Sequence, residues 1–134
     1  MPAEPVPIID LFAGPGGLGE GFASLEGNPF KILISAEKDT YANQTLRLRA
    51  YYRLLSQERP DKLHLYLDYC NGQQLCPWNH STEDLWHKAK QETPLIELGS
   101  SAGNSLLDST LQKKLTKNDR SILIGGPPCQ AITQ

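Results

Sequence analysis

The 134-residue sequence has little cysteine: three residues, an odd number, with no basic or apolar leader in the opening Met1-Pro-Ala-Glu-Pro. That excludes a disulfide scaffold and points to free thiols in a reducing, cytoplasmic compartment. Long apolar runs are missing too. Nothing approaches the roughly 18 residues that a membrane span requires, so no membrane partner is expected. Excess positive charge is also absent, with 13 Lys and Arg against 15 Asp and Glu and a net charge of −2. A free-standing DNA binder is usually basic. Either DNA is not the partner, or its contacts lie mostly on polypeptide outside this chain. Internal repeats and low-complexity tracts are lacking as well. What remains, 39% hydrophobic and 21% charged residues, suits one folded domain able to bury a core without metals or disulfides.

The order of patterns predicts strands alternating with helices. Val6–Phe12 (VPIIDLF) is a short apolar run with β-branched residues, read as a buried parallel strand ending in a glycine cluster. The turn at Gly14–Gly21 opens into a short helix with Leu18, Phe22 and Leu25 on one face, and Asn28-Pro29 ends it before a second strand, Phe30–Ala36. Thr40–Gln57 carries the stripe Leu46, Ala50, Leu54, flanked by Tyr51 and Leu55, of a long amphipathic helix. A helix capped by Ser81 over TEDLWHKAKQ, a third strand over Leu95–Leu98, and a helix opened by a variant capping box at Ser105–Asp108 follow. Ser121–Ile124 is the fourth strand. The stretch 66–93 is the least regular and reads as a surface insertion. The whole predicts an α/β, Rossmann-like, doubly wound and mostly parallel sheet.

Two motifs carry chemistry. Asp10-Leu-Phe12-Ala13-Gly14-Pro-Gly16-Gly17-Leu-Gly19 follows a strand and opens a helix, where glycines allow a sharp turn and close approach of backbone to a ligand. Glu37, at the end of the second strand, stands where such a motif places an acid to grip a ribose diol, since a carboxylate accepts two hydrogen bonds at once. The pattern is moderately specific for a nucleoside cofactor, and by itself does not separate NAD from S-adenosylmethionine. The second motif, Gly125-Gly-Pro-Pro-Cys129-Gln130, lies just past the fourth strand. Two prolines stiffen the loop, and a stiff loop holds a thiol nucleophile near attack geometry. A lone cysteine is more often a structural one; two motifs on one sheet edge favour the nucleophile, because ligands in open α/β sheets bind outside the carboxyl ends of the strands.

DLFAGPGGLGEGF, the acid in ISAEKD, and GGPPCQ, in that order, resemble DNA cytosine-5 methyltransferases. The resemblance anchors on residues 7–39 and 121–130. It implies the incomplete front of an S-adenosylmethionine-dependent methyltransferase fold. Phe12, Ala13, Gly14, Gly16 and Gly17 would wrap the S-adenosyl-L-methionine cofactor, Glu37 would hold its ribose, and Cys129 would be the nucleophile. It implies double-stranded DNA as the partner of the full-length enzyme. The target-recognition region, the glutamate that protonates the base, and the last helix of the cofactor pocket would lie outside these 134 residues, which implies a complementing downstream polypeptide as a partner. The chain alone is then expected to be inactive. A non-catalytic cofactor-binding remnant and an NAD-binding oxidoreductase domain are the alternatives.

Other candidates read as structure. Cys70, Cys76, His80 and His87 have spacings outside the usual zinc windows, and no metal is expected. Arg47, Arg49 and Arg53 read as a solvated helix face rather than a phosphate patch. Trp78 and Trp86 read as packing residues. For the acid that the resemblance implies at the adenine amino group, Asp108 and Ser100 both fall short, one inside a predicted helix and the other not an acid.

Overall fold

The computed structural model describes residues 3–116 and 120–127. β1 (Val6–Leu11) lies at the centre of a three-stranded parallel sheet, between β2 (Phe30–Ala36) and β3 (Ile122–Gly125), in the order β2-β1-β3. α1 (Gly17–Ala23) connects β1 to β2, and α2 (Thr40–Glu58) follows β2. A single 3-10 turn (Pro60–Lys62), α3 (Leu63–Cys70), α4 (Glu83–Glu92) and α5 (Ser101–Lys114) precede β3. The expected doubly wound α/β class holds.

Alternation along β1 sends residues to both faces. Ile8, with Ile32, packs under α1 through Ala23 and Phe22. Ile9, with Ile34 and Ala36, packs on the other face against Leu107 and Leu111 of α5. A register shift between Ile8 and Ile9, where β1 pairs first with Ile32 and then with Ile34, leaves Leu33 as a bulge. Its carbonyl accepts from Lys114 Nζ at 3.0 Å, which ties α5 to the sheet.

A further core forms beside the sheet. Ala50, Tyr51 and Leu55 of α2 meet Leu85 and Ala89 of α4. Trp86 stacks on Trp78 with centroids 4.4 Å apart, so the two tryptophans pack as expected. Helices cover just over half of the stretch 66–93: α3 runs to Cys70 and α4 spans Glu83–Glu92, with the connection between them lacking regular structure.

Four local expectations change. Leu95–Leu98 is not a strand; Leu95 makes one isolated parallel bridge to Glu37. Pro94 supplies no donor there, and Gly99 at φ 93 turns the chain away. Ser100, not Ser105, caps α5, its hydroxyl accepting from Gly103 N at 3.0 Å. Thr82, not Ser81, precedes α4. Leu18 and Leu25 are exposed, and α1 faces the sheet with Gly19 and Ala23 instead. Gly19 faces inward because Asp10 fills the space beneath it: a Cβ there would lie 2.8 Å from Asp10 Oδ2. Among the described residues no helix is long and apolar enough to cross a membrane.

Candidate functional site

At the carboxyl end of β1 the chain reverses direction through residues in the left-handed region. Phe12 has φ 55, Gly14 φ 57 and Gly16 φ 98. Glycine relieves the strain of that conformation at two of these positions, whereas Phe12 adopts it with a full side chain, a feature that marks functional turns. Ala13 N donates to Ala36 O at 3.0 Å, binding the turn to the end of β2. Gly16 packs so closely on α2 that a Cβ would come within 2.8 Å of Leu46 Cδ1. Nothing lies within 4 Å of a Cβ placed on Gly14 or Gly17, so a ligand can approach the backbone there.

Glu37 is fixed at both ends. Its carbonyl accepts from Ile96 N at 2.9 Å. Its carboxylate accepts from Gly14 N at 2.7 Å through Oε2, and from Lys38 N and Asp39 N at 2.8 and 2.9 Å through Oε1. The two halves of the first motif, 23 residues apart, thus share a hydrogen bond. A carboxylate offers about four acceptor positions, and three are taken, so about one remains on Oε2 for a ligand hydroxyl. Beyond that contact, Asp39 caps α2 by accepting from Ala42 N at 2.7 Å.

β3 pairs in parallel with β1, Leu11 opposite Gly125. A Cβ on Gly125 would lie 2.7 Å from Leu11 O, so the strand end presses on β1 beside the turn. Gly126 and Pro127 leave the sheet at the same carboxyl edge as Gly14 and Gly16. The first and last strands are thus adjacent, with their carboxyl ends on one edge of the sheet. Cys129 lies outside the described residues, as do Pro128 and Gln130.

Asp10 is the functional candidate that motif reading passed over. It is 1% exposed, and neither carboxylate oxygen has a hydrogen-bond partner among the described residues. Burial, reinforced by the Glu37 charge, pushes its pKa up to about 6. An acid inside the apolar run VPIIDLF was the available signal. Near it, Arg53 Nε pairs with Glu20 at 3.2 Å, and the Arg53 guanidinium also pairs with Glu92. Burial works against the Arg53 charge, but the two carboxylates outweigh it and hold its pKa above the ordinary range.

The arginines of α2 therefore do not form the solvated face expected of them. Arg47 donates to Asn43 Oδ1 and to the Thr93 carbonyl, both at 3.1 Å, and Arg53 links α1, α2 and α4. Arg49 alone stays exposed. Ser100 is a helix cap, and Asp108 is an exposed residue of α5. Among the described residues no three Cys, His, Asp or Glu side chains converge as a metal site. A crevice of about 700 Å³ opens near the amino ends of β1 and β2, lined in part by Pro5, Phe30 and Lys31, away from the glycine turn.

A Rossmann-like sheet with a glycine turn and an acid joined at its carboxyl edge defines the class to which this chain conforms. Over 94% of its length the chain is similar to the Type II methyltransferase M.Bpa9945I of Bacillus paralicheniformis, with 32% identity across 141 aligned positions. It spans 31% of that protein's length. This similarity supports a methyltransferase. No family model and no solved structure matches the chain.

Proposed function

We propose that this chain is the cofactor-binding and nucleophile-bearing part of a DNA cytosine-5 methyltransferase. The Gly14–Glu37 hydrogen bond carries the reading, because it joins the ligand-facing glycine turn to the acid suited to ribose. The likeness to a Type II methyltransferase favours S-adenosylmethionine over NAD, and double-stranded DNA in a restriction–modification setting as the substrate.

The residues present fit that cofactor. Gly14 and Gly17 leave room over the backbone, Phe12 is 40% exposed beside them, and Ala13 and Gly16 hold the turn against β2 and α2. Glu37 has one acceptor left for a ribose hydroxyl. Bound there, S-adenosylmethionine supplies an activated methyl group. Cys129, which follows Pro127 and Pro128 in the sequence, serves as the nucleophile. Its thiolate adds to C6 of a cytosine turned out of the duplex, which makes C5 electron-rich; loss of the C5 proton after methylation expels the thiolate. The chain covers 31% of its relative, and activity requires the base-holding and proton-donating groups of additional polypeptide.

Calorimetric titration with S-adenosylmethionine, S-adenosylhomocysteine and NAD tests the reading. Adenosyl ligands should bind and NAD should not; a preference for NAD refutes it. Label transfer from radiolabelled cofactor to DNA should need a complementing downstream polypeptide and vanish in Cys129→Ser. Transfer that survives Cys129→Ser refutes the covalent role.

A further inference from the structure

We propose that Asp10 is a specificity-determining residue: its buried carboxylate, unneutralised among the described residues, makes the glycine turn favour a cationic sulfonium ligand over the neutral thioether product. The inference rests on the adenosyl reading above.

Asp10 is a buried carboxyl group without a counter-ion among the described residues. Both Asp10 oxygens lack partners among the described residues, and the side chain is 1% exposed. α1 closes over it at Gly19. The groups around it are Glu20 from α1, Ser35 from β2, Arg53 from α2 and Glu92 from α4, with Glu37 just beyond β2. Arg53 is the cation in this set, and Glu20 and Glu92 both engage it. Two carboxylates on one guanidinium leave nothing for Asp10. Glu37 adds another negative charge, near enough to raise the Asp10 pKa, while its Oε2 holds Gly14 N. The field of Asp10 therefore overlaps the place where the turn meets its ligand.

A ligand bearing positive charge supplies the missing compensation. One unit charge acting across roughly 10 Å at an effective dielectric of about 20 changes affinity on the order of tenfold. Asp10 need not touch the ligand for this; it acts through a medium that screens poorly. Because its carboxyl titrates near 6, the preference should switch on as pH rises through that value. Binding of the cation should then release a proton from Asp10. Glu92 is also pushed up by burial, which makes the Asp10 variant the necessary control.

The test is calorimetric titration of the whole chain with S-adenosylmethionine and S-adenosylhomocysteine between pH 5 and pH 8, for the wild type and Asp10→Asn. In the wild type the affinity ratio of sulfonium to thioether should rise about tenfold across this range. In Asp10→Asn it should stay flat. A flat ratio in the wild type, or the same rise in the variant, overturns the inference while leaving the adenosyl reading intact. Binding of neither ligand refutes that reading, and this inference falls with it. Should Asp10→Asn not fold, carboxyl ¹³C resonances of the wild type decide. Saturation with the sulfonium should lower the Asp10 midpoint by about one unit, the equivalent of tenfold, and the thioether should leave it in place. An unmoved midpoint with both ligands overturns the proposal.

Discussion

Gly14 and Glu37 are 23 residues apart in the chain and 2.7 Å apart in space, the amide of one donating to the carboxylate of the other. The contact places the acid against the turn before any ligand arrives, so part of the ordering cost of binding is already met by folding. Replacing Glu37 with Gln keeps the size but turns one acceptor oxygen into a donor facing backbone N–H groups. Hydrogen bonds to charged groups are worth about 1.5–3 kcal/mol. Glu37→Gln should weaken S-adenosylhomocysteine binding by about tenfold or more and lower the thermal midpoint by several degrees. Calorimetry and thermal melting measure the two effects; unchanged affinity would remove Glu37 from the site.

Asp10 makes stability depend on pH. Its native pKa of about 6 lies above the ordinary 3.8, so between these values the native state holds a proton that the unfolded chain has lost. Stability is then greatest below pH 4 as far as this group is concerned, and falls as pH rises to about 6. The full loss is about 3 kcal/mol. Asp10→Asn should be more stable than the wild type at pH 7.5 by up to about that amount, with the advantage disappearing toward pH 4. Urea unfolding at several pH values checks it, and parallel stability curves would show that Asp10 is already compensated.

Gly19 and Asp10 compete for one space. A Cβ on Gly19 would stand 2.8 Å from Asp10 Oδ2, and overpacking of this kind costs about 1–3 kcal/mol. Gly19→Ala should lose that much in the wild type and much less in an Asp10→Ala background. A double-mutant cycle with a coupling near zero would contradict the close packing of α1 on β1.

Arg53 secures three helices through Glu20 and Glu92. Removing one member of a buried pair leaves the other charge uncompensated, at a cost of about 3–5 kcal/mol. Arg53→Met should destabilise by that amount near neutral pH. The loss should diminish in acid, because burial raises the Glu92 pKa and a neutral Glu92 no longer needs its partner. Denaturant titration at pH 5 and pH 8 compares the two, and equal losses would mean that Glu92 stays charged throughout.

The sequence by itself determined the parallel α/β class, the glycine turn and its acid, and the boundaries of β1, β2 and α2, all within a residue or so. These features are local: hydrophobic period and glycine spacing are written in neighbouring residues. The long stripe Leu46, Ala50 and Leu54, with Tyr51 and Leu55 beside it, was legible for the same reason; Leu54 is half-buried and the other four are buried. Only the tertiary structure decided the rest. Leu95–Leu98 had a strand's composition but makes one bridge, to Glu37 just past β2, because Pro94 supplies no donor on one side and Gly99 turns the chain away on the other. The face of α1 was set by Asp10 beneath Gly19, not by its leucines. Arg47 and Arg53 look like solvent residues in any helical projection, and they became internal clamps because Thr93 and Glu92 arrive from 39 to 46 residues away. Asp10 stood in plain view within the first motif, yet its unpaired burial depends on where four other elements place their charges. Local pattern fixes what a segment can form; long-range packing fixes which polar groups find partners and which are left without one.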